Sequence, residues 1–394
     1  MSDTDTSRGP LHGLKVIELA GIGPGPYAAM LLADMGADVV RVERPGPPAS
    51  GVPAEKDVLR RNRRSIVVDL QRPDGVKTVL AMAAKADVLL EGFRPGVTER
   101  LGLGPADCWD VNPRLVYGRM TGWGQTGPLA PTAGHDIGYI AITGALGAIG
   151  RAGEAPVPPV NLVGDFGGGS TFLVMGVLAA VWEASRSGRG QVVDAAIVDG
   201  ASSLTALLHG LMAAQQWQDQ RGANFLDTGV PWYDTYPTSD GEWMAVGALE
   251  PKFYAEFTRL LGLPDETAAL RQTPSRWVQL REAITTAFGS RTRAEWSAVF
   301  EGTDACVAPI LSLTEAADHP HLAERGTFID VAGVVQPAPA PRFSRTAAQM
   351  PSPPPAVGAD SADVLRDWAI PDADRLIADG VVQTPTDSDV LAGR

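Results

Sequence analysis

Short apolar runs alternate with helical patterns through the first 200 residues of the chain. The predicted strands are Leu14–Ala20, Asp38–Glu43, Ser65–Leu70, Asp87–Glu91, Leu115–Met120 and Gln191–Ala195. The predicted helices are Tyr27–Met35, Gly75–Lys85, the nearly all-apolar Phe166–Ser185 and Ala201–Gln216. Strands that are separated by helices of this length predict βαβ units, so this part of the chain is expected to be an α/β domain built on a parallel sheet.

The pattern changes near Pro231, where the chain becomes more polar and more aromatic. One strand and three helices are predicted there, at Trp243–Val246, Lys252–Leu261, Ser275–Phe288 and Arg293–Val299. The proline-rich Pro337–Pro355 predicts an extended connection, and two short helices, Asp360–Trp368 and Pro371–Asp379, follow it. We therefore expect residues 1–200 to begin a large domain, 201–230 to form a linker helix, 231–325 to form a smaller α+β domain, and 326–394 to return to the large domain.

Composition narrows the class of protein. A length of 394 residues favours two domains, and a net charge of −13 argues against a nucleic-acid partner. The two cysteines, Cys108 and Cys306, lie far apart and form no CxxC pair, which favours a reducing compartment and a cytoplasmic location. Residues Met1–Pro10 are polar and lack the apolar stretch of a secretory signal, and we expect no apolar run long enough to span a bilayer.

A glycine-rich turn, Gly21–Pro26, follows the first predicted strand, and the acidic Glu43 ends the second. This arrangement resembles a dinucleotide-binding fingerprint. However, the spacing is GxGxG, and Pro24 and Pro26 lack the N–H groups that a phosphate site uses. A tight strand-to-helix turn is therefore the favoured interpretation, and a nicotinamide or flavin site is the alternative.

Arginines are concentrated around the ends of the second, third and fourth predicted strands: Arg41, Arg44, Arg60, Arg61, Arg63, Arg64, Arg94 and Arg100. The carboxyl ends of parallel strands border the ligand crevice, which places Arg44 and Arg94 at that edge. Guanidinium groups suit phosphate oxygens, so the cluster favours a nucleotide-like ligand with several phosphates. For any single arginine, a structural role is the alternative.

Two residues could carry acid–base chemistry. His135 is flanked by glycine-rich sequence, which would let a ligand approach it closely. Asp165 precedes three consecutive glycines where the long apolar helix is predicted to begin, so it could be a helix N-cap. The glycines suggest that a ligand must approach the helix N-terminus, which would stabilise an anion there, either the carboxylate or an enolate oxygen.

Glu250 precedes Pro251 at the end of an apolar run, where it could start a helix or orient a histidine. A histidine, an aspartate and a helix N-terminus suit proton abstraction next to a thioester carbonyl. The sequence contains no HExxH, CxxC or EF-hand spacing, and we expect no metal. It also contains no GxSxG elbow and no Walker loop.

Several segments together resemble the family III CoA-transferase superfamily and, within it, the α-methylacyl-CoA racemases. The similarity extends from Leu11 to about Arg345. It is carried by LKVIELAGIGPGPYAAMLLADMGADVVRVERP, RRNRRSIVVDL, EGFRPGVTERLGLG, YGRMTGWGQTGP, AGHDIGYI, PPVNLVGDFGGGS, GRGQVVDAAIVDG and DACVAPI. The resemblance implies a large Rossmann-like domain and a small domain, joined by long linkers in an interlocked homodimer.

The resemblance also implies roles for individual residues. His135 and Asp165 match two bases on opposite faces of the α-carbon, and Glu250 matches a glutamate that supports the histidine across the dimer. The expected CoA-binding residues are Arg44, Val68, Asp69, Leu70, Gln71, Gly92, Phe93, Arg94, Arg100, Gly134, Asp136, Ile137, Gly138 and Tyr139. Gln71 stands where many relatives have lysine. A neutral amide therefore replaces a positively charged partner for a phosphate.

The resemblance predicts an isomerase of fatty acid metabolism that needs no cofactor, because coenzyme A is part of its acyl-CoA substrate. One alternative is a CoA-transferase in which Asp165 is the nucleophile and forms an acyl–enzyme anhydride. That chemistry has no need of His135, so the histidine favours racemisation. A non-catalytic acyl-CoA-binding protein is the second alternative.

Overall fold

The computed structural model describes residues 8–46 and 51–385, so residues 1–7 of the predicted N-terminal tail lie outside the described part. The chain divides into two compact units. The first contains the chain up to Thr143, Val160–Leu204 and the chain from Glu324 onwards, and the second contains Gly144–Pro159 and Thr205–Ala323. The predicted domain limits did not include the segment 144–159 in the second unit.

The described residues form twelve strands: β1 (Lys15–Leu19), β2 (Asp38–Glu43), β3 (Arg64–Val68), β4 (Val88–Glu91), β5 (Val116–Thr121), β6 (Val192–Ala196), β7 (Tyr233–Pro237), β8 (Trp243–Gly247), β9 (Val307–Pro309), β10 (Phe328–Val331), β11 (Val334–Pro337) and β12 (Val382–Gln383). The α-helices of the same residues are α1 (Pro24–Asp34), α2 (Pro73–Ala83), α3 (Val97–Leu101), α4 (Pro105–Val111), α5 (Asp136–Ile142), α6 (Ala145–Ala148), α7 (Thr171–Ser187), α8 (Ile197–Leu204), α9 (Ala206–Ala213), α10 (Pro251–Leu261), α11 (Asp265–Ala268), α12 (Trp277–Phe288), α13 (Arg293–Phe300), α14 (Leu313–Asp318), α15 (Pro320–Glu324), α16 (Ser361–Asp367) and α17 (Ala373–Ala378).

The first unit is built on a seven-stranded sheet in the order β12-β3-β2-β1-β4-β5-β6. Strands β1 to β6 are parallel, and only the short β12 pairs antiparallel, with β3. The predicted parallel sheet is therefore confirmed. Strand order reverses between β1 and β4, and ligands of such sheets bind outside the carboxyl ends of the strands at this reversal.

Helices cover both faces of this sheet, and successive strand residues point into different cores. Ile17 packs on the face covered by α2 and by the C-terminal helices α16 and α17, together with Met82 and Trp368. Val16 packs on the opposite face, against α1 and α7. Burial on both faces explains why apolar residues occupy neighbouring positions of these strands and do not simply alternate with polar ones.

The long apolar helix begins earlier than predicted, as a π-helical segment, Leu162–Ser170, that continues into α7. By length and composition, residues 162–187 could cross a membrane, so the expectation of no such run was too strict. Core helices of folded proteins pass the same test. Leu173 and Val177 are fully buried against the sheet, whereas Met175 and Trp182 on the same helix are exposed.

The second unit contains the antiparallel sheet β7-β8-β9. It packs against α10, α12 and α13 around an aromatic core that includes Phe257, Phe288 and Trp296. The predicted β8 and the three helices are confirmed, whereas β7 and β9 were missed. Ion pairs and hydrogen bonds hold the segment 144–159 in this unit, since Arg151 contacts Asp234 at 2.8 Å and Arg221 donates to the Gly147 carbonyl at 2.8 Å.

Candidate active site

A cavity of about 380 Å³ opens at the carboxyl ends of β1, β4 and β5, where the strand order of the sheet reverses. The turn after β1, the loop after β4 and the residues after β5 line it. The predicted site residues on its wall are Gly92, Phe93, Arg94, Gly134, His135, Asp136, Tyr139 and Asp165. The fold therefore brings both predicted bases to one cavity.

His135 is the N-cap of α5 and its side chain is exposed. The glycines near it have a different role from the predicted one. A Cβ at Gly122 would lie 2.0 Å from the Tyr139 ring, and a Cβ at Gly134 would lie 2.5 Å from it. These glycines accommodate the tyrosine, which stacks edge-on against Trp123 with ring centroids 4.7 Å apart.

Asp165 is the fourth residue of the π-helical segment, and Asn161 occupies the N-cap position without a side-chain capping bond. The prediction of Asp165 as N-cap was therefore wrong. The carboxylate faces the turn after β1, because a Cβ built on Gly23 would lie 3.4 Å from Asp165 Oδ2. Burial and, after it, the charge of Asp136 raise the pKa of the Asp165 carboxyl to about 6. A hydrogen bond from Asn161 and the charge of His135 act in the opposite direction.

The three glycines after Asp165 pack against protein, contrary to the prediction that a ligand approaches them. A Cβ on Gly168 would lie 2.6 Å from the Ala201 backbone nitrogen, and a Cβ on Gly200 would lie 1.8 Å from the Gly168 carbonyl oxygen. The π-helical segment and α8 thus touch backbone to backbone. Gly167 and Gly169 are similarly close to Leu162 and Ile197.

Most of the predicted arginine cluster is structural. Arg41 and Arg63 pair with Glu18, and Arg60 pairs with Glu43, all within the buried interior. A second set of ion pairs holds the neighbouring arginines: Arg61 with Asp34, and Arg64 with Asp38 and Asp367. Their carboxylate partners come from β1, α1, β2 and α16, so the positive charge that the sequence suggested for phosphates is largely neutralised inside the fold.

A second cavity, of about 350 Å³, adjoins the first at the carboxyl ends of β1 and β2. Arg44, Leu70, Gly92 and Phe93 of the predicted CoA-binding set line it. The remaining members of the set line neither cavity: Val68, Asp69, Gln71, Arg100, Ile137 and Gly138. Val68 is fully buried in the core of the sheet, so its side chain cannot contact a ligand without unfolding the strand.

Three further residues shape the site, and the sequence patterns did not identify them as part of it. Asn161 precedes Asp165 by four residues, a spacing that places both on one side of a helical turn. Trp123 lies on the cavity wall, and its indole nitrogen is buried without a hydrogen-bond partner among the described residues. Glu91 accepts a 2.7 Å hydrogen bond from the Phe93 N–H, and burial raises its pKa to about 7.

Glu250 lies in the second unit, where it is the N-cap of α10 and is exposed. The interpretation that it starts a helix is confirmed. Its predicted support of the histidine stays a prediction. Within this unit, Arg271 stacks on Trp232 and Tyr254 and donates a 2.6 Å hydrogen bond to the Leu249 carbonyl, which holds the backbone next to Glu250.

The chain belongs to CoA-transferase family III, whose sequence profile matches residues 11–361. It is 44% identical over 379 residues to the alpha-methylacyl-CoA racemase of Mus musculus, which covers 95% of this chain and 98% of the mouse protein. It is 42% identical over 341 residues to the alpha-methylacyl-CoA racemase of Homo sapiens, covering 86% of this chain and 87% of the human protein. A solved structure of a CAIB/BAIF family protein from Brucella suis matches with a TM-score of 0.77 and 28% identity, over 92% of this chain and 100% of that one.

Proposed function

We propose that this chain is an α-methylacyl-CoA racemase, which interconverts the (R) and (S) forms of 2-methylacyl-CoA thioesters. The proposal is supported chiefly by the joint presence of His135 and Asp165 on one cavity at the strand reversal. The 42% and 44% identities to two racemases over most of the chain support the same reaction.

The proposed reaction moves only protons. One base removes the α-proton, the carbon–hydrogen electron pair passes into the thioester carbonyl to give an enolate, and the second residue returns a proton to the opposite face. Asp165 suits this exchange because its pKa, raised to about 6, lies close to neutral pH, so it can both accept and release a proton. Since no electron is transferred to or from the substrate, the mechanism calls for no redox cofactor.

We place the CoA part of the substrate along the two adjoining cavities. Gly92 and Phe93 line both, which makes the loop after β4 the connection between them. Arg44 and Arg94 are the exposed arginines on these walls and are the candidates for the phosphates. Arg60, Arg61 and Arg63 line neither cavity and pair with carboxylates, so they are not candidates for this role. Arg41 lines the second cavity, but it is buried and paired with Glu18.

The interlocked homodimer and the cytoplasmic location also belong to the proposal. Both come from the sequence interpretation described above. Light scattering after size-exclusion chromatography tests the dimer directly, since two copies of a 41.4 kDa chain should elute together.

The test of function is proton NMR of one enantiomer of a 2-methylacyl-CoA incubated with the enzyme in D2O, with no acceptor acid. We expect deuterium at the α-carbon together with loss of optical purity. An unlabelled substrate that keeps its configuration would refute the proposal.

CoA transfer is the alternative, favoured by the family's name and by the access of Asp165 to the cavity. In that reaction the Asp165 carboxylate would attack the thioester carbonyl, form an anhydride and release the CoA thiolate. A free carboxylic acid distinguishes the two reactions. If the thioester is consumed only when the acid is present, and without α-exchange, the chain is a transferase.

A further inference from the structure

Asp136 connects the two segments that carry the proposed acid–base pair. It is the first residue of α5 and directly follows His135. Its Oδ1 accepts a 2.7 Å hydrogen bond from the backbone N–H of Asp165, 29 residues further along the chain. This bond joins the N-terminus of α5 to the π-helical segment.

The carboxylate of Asp136 fits closely against the backbone at residue 164. A Cβ on Gly164 would lie 2.2 Å from Oδ1 and 2.8 Å from Cγ, so any side chain there would displace the Asp136 carboxylate. The other oxygen, Oδ2, is buried and has no hydrogen-bond partner among the described residues. Burying a polar oxygen without a partner costs free energy, so a purely structural role explains this arrangement poorly.

We infer that Asp136 is a positioning residue for the proposed proton transfer, whose carboxylate holds Asp165 at a fixed place relative to His135. The inference rests on the proposed racemase function. It assigns the side chain to the acid–base pair, whereas the family resemblance placed Asp136 among the residues that bind CoA.

The charge of Asp136 adds an electrostatic effect to the geometric one. After burial, it is the largest influence that raises the pKa of Asp165. The other groups that act on this carboxyl are Asn161 and His135, which lower its pKa. Burial and then the charge of Asp165 raise the pKa of the neighbouring Tyr139. Removal of the Asp136 charge alone should therefore make Asp165 more acidic while burial keeps its pKa above the usual value.

Two variants separate the hydrogen bond from the charge. Asp136→Ala removes both, and Asp136→Asn keeps an oxygen that can accept the Asp165 N–H while it removes the charge. Full-length enzymes are compared by α-deuterium exchange of a 2-methylacyl-CoA across pH 5 to 9. Calorimetric titration with the same thioester measures binding.

We expect Asp136→Ala to lower kcat by about 10- to 100-fold with little change in KM, because small displacements of a reacting group are costly. Asp136→Asn should recover part of that loss. In the plot of exchange rate against pH, the midpoint on the acidic side should move to lower pH by about one unit or less in Asp136→Asn. The reason is that the like charge that raised the pKa of Asp165 is gone.

Asp87→Asn and Asp87→Ala are matched controls, since Asp87 also accepts a backbone N–H, from Lys15 at 2.9 Å, but lies at the opposite end of the sheet. They should keep the wild-type kcat and pH profile. If Asp136→Ala keeps the wild-type kcat, or if Asp136→Asn keeps the wild-type pH midpoint while only KM rises, the inference is overturned. A wild-type enzyme without any α-exchange overturns the proposed function instead, and the inference with it.

Discussion

Substitution of Gly200 by alanine tests whether the contact between α8 and the π-helical segment places Asp165. The added Cβ would lie 1.8 Å from the Gly168 carbonyl oxygen, 2.6 Å from its carbon and 2.9 Å from its Cα. All three atoms are backbone, so no rotamer change relieves the overlap. Ordinary van der Waals contact then requires the two segments to separate by about 1.5 Å.

Two effects of opposite sign determine the size of the change. Overpacking of a buried contact costs about 1–3 kcal/mol, and a backbone overlap belongs at the upper end. Alanine in a helix interior recovers about 1 kcal/mol relative to glycine. We therefore expect the free energy of unfolding to fall by about 2 kcal/mol, which corresponds to a decrease in Tm of roughly 4–8 °C.

We expect the substitution to affect the rate of α-exchange more strongly than the free energy of unfolding. The displaced segment carries Asp165, and a displacement of about 1 Å can reduce the rate about 100-fold. Differential scanning fluorimetry and α-deuterium exchange measure the two effects. Gly210→Ala is the control, because among the described residues nothing lies within 4 Å of a Cβ there, within helix α9. The reasoning is refuted if Gly200→Ala matches this control in both Tm and exchange rate.

His135→Ala and Asp165→Ala should each abolish epimerisation while CoA binding largely survives, which chiral chromatography and calorimetric titration check. Arg61→Ala should lower the free energy of unfolding by about 3–5 kcal/mol, since it leaves a buried carboxylate unpaired. Arg259→Ala, at an exposed ion pair, should leave Tm unchanged. Glu91→Gln should weaken the pH dependence of Tm. Because the folded pKa of Glu91 is raised to about 7, its protonated form stabilises the fold, and this contribution is complete below about pH 4.5 and is lost as pH rises through 7.

Normal turnover in either His135→Ala or Asp165→Ala would refute the two-base mechanism. An Arg61→Ala protein as stable as the Arg259→Ala protein would show that the buried ion pair is dispensable. A Glu91→Gln protein whose Tm changes between pH 5 and pH 8 as much as that of the wild type would contradict the raised pKa.

Local patterns in the sequence were sufficient to predict the sheet. Strand β2 begins and ends where predicted, at Asp38 and Glu43, because its three valines are buried on the two faces of the sheet. The side-chain chemistry of His135 and Asp165 also marked them as candidate bases. Strands β7 and β9 were missed, since short strands with polar residues or proline give little period-two signal.

The partners of the charged and glycine residues were decided only by the tertiary structure. The arginines were predicted to bind phosphates, but the fold pairs them with Glu18 and Asp34, which lie 23 to 45 residues away in the chain. The glycines near Asp165 resembled a ligand-binding turn, but they allow α8 to approach. Sequence alone determines which residues prefer burial and which can ionise. Which charge is neutralised, and which pKa is shifted, depends on through-space distances between segments that are remote along the chain.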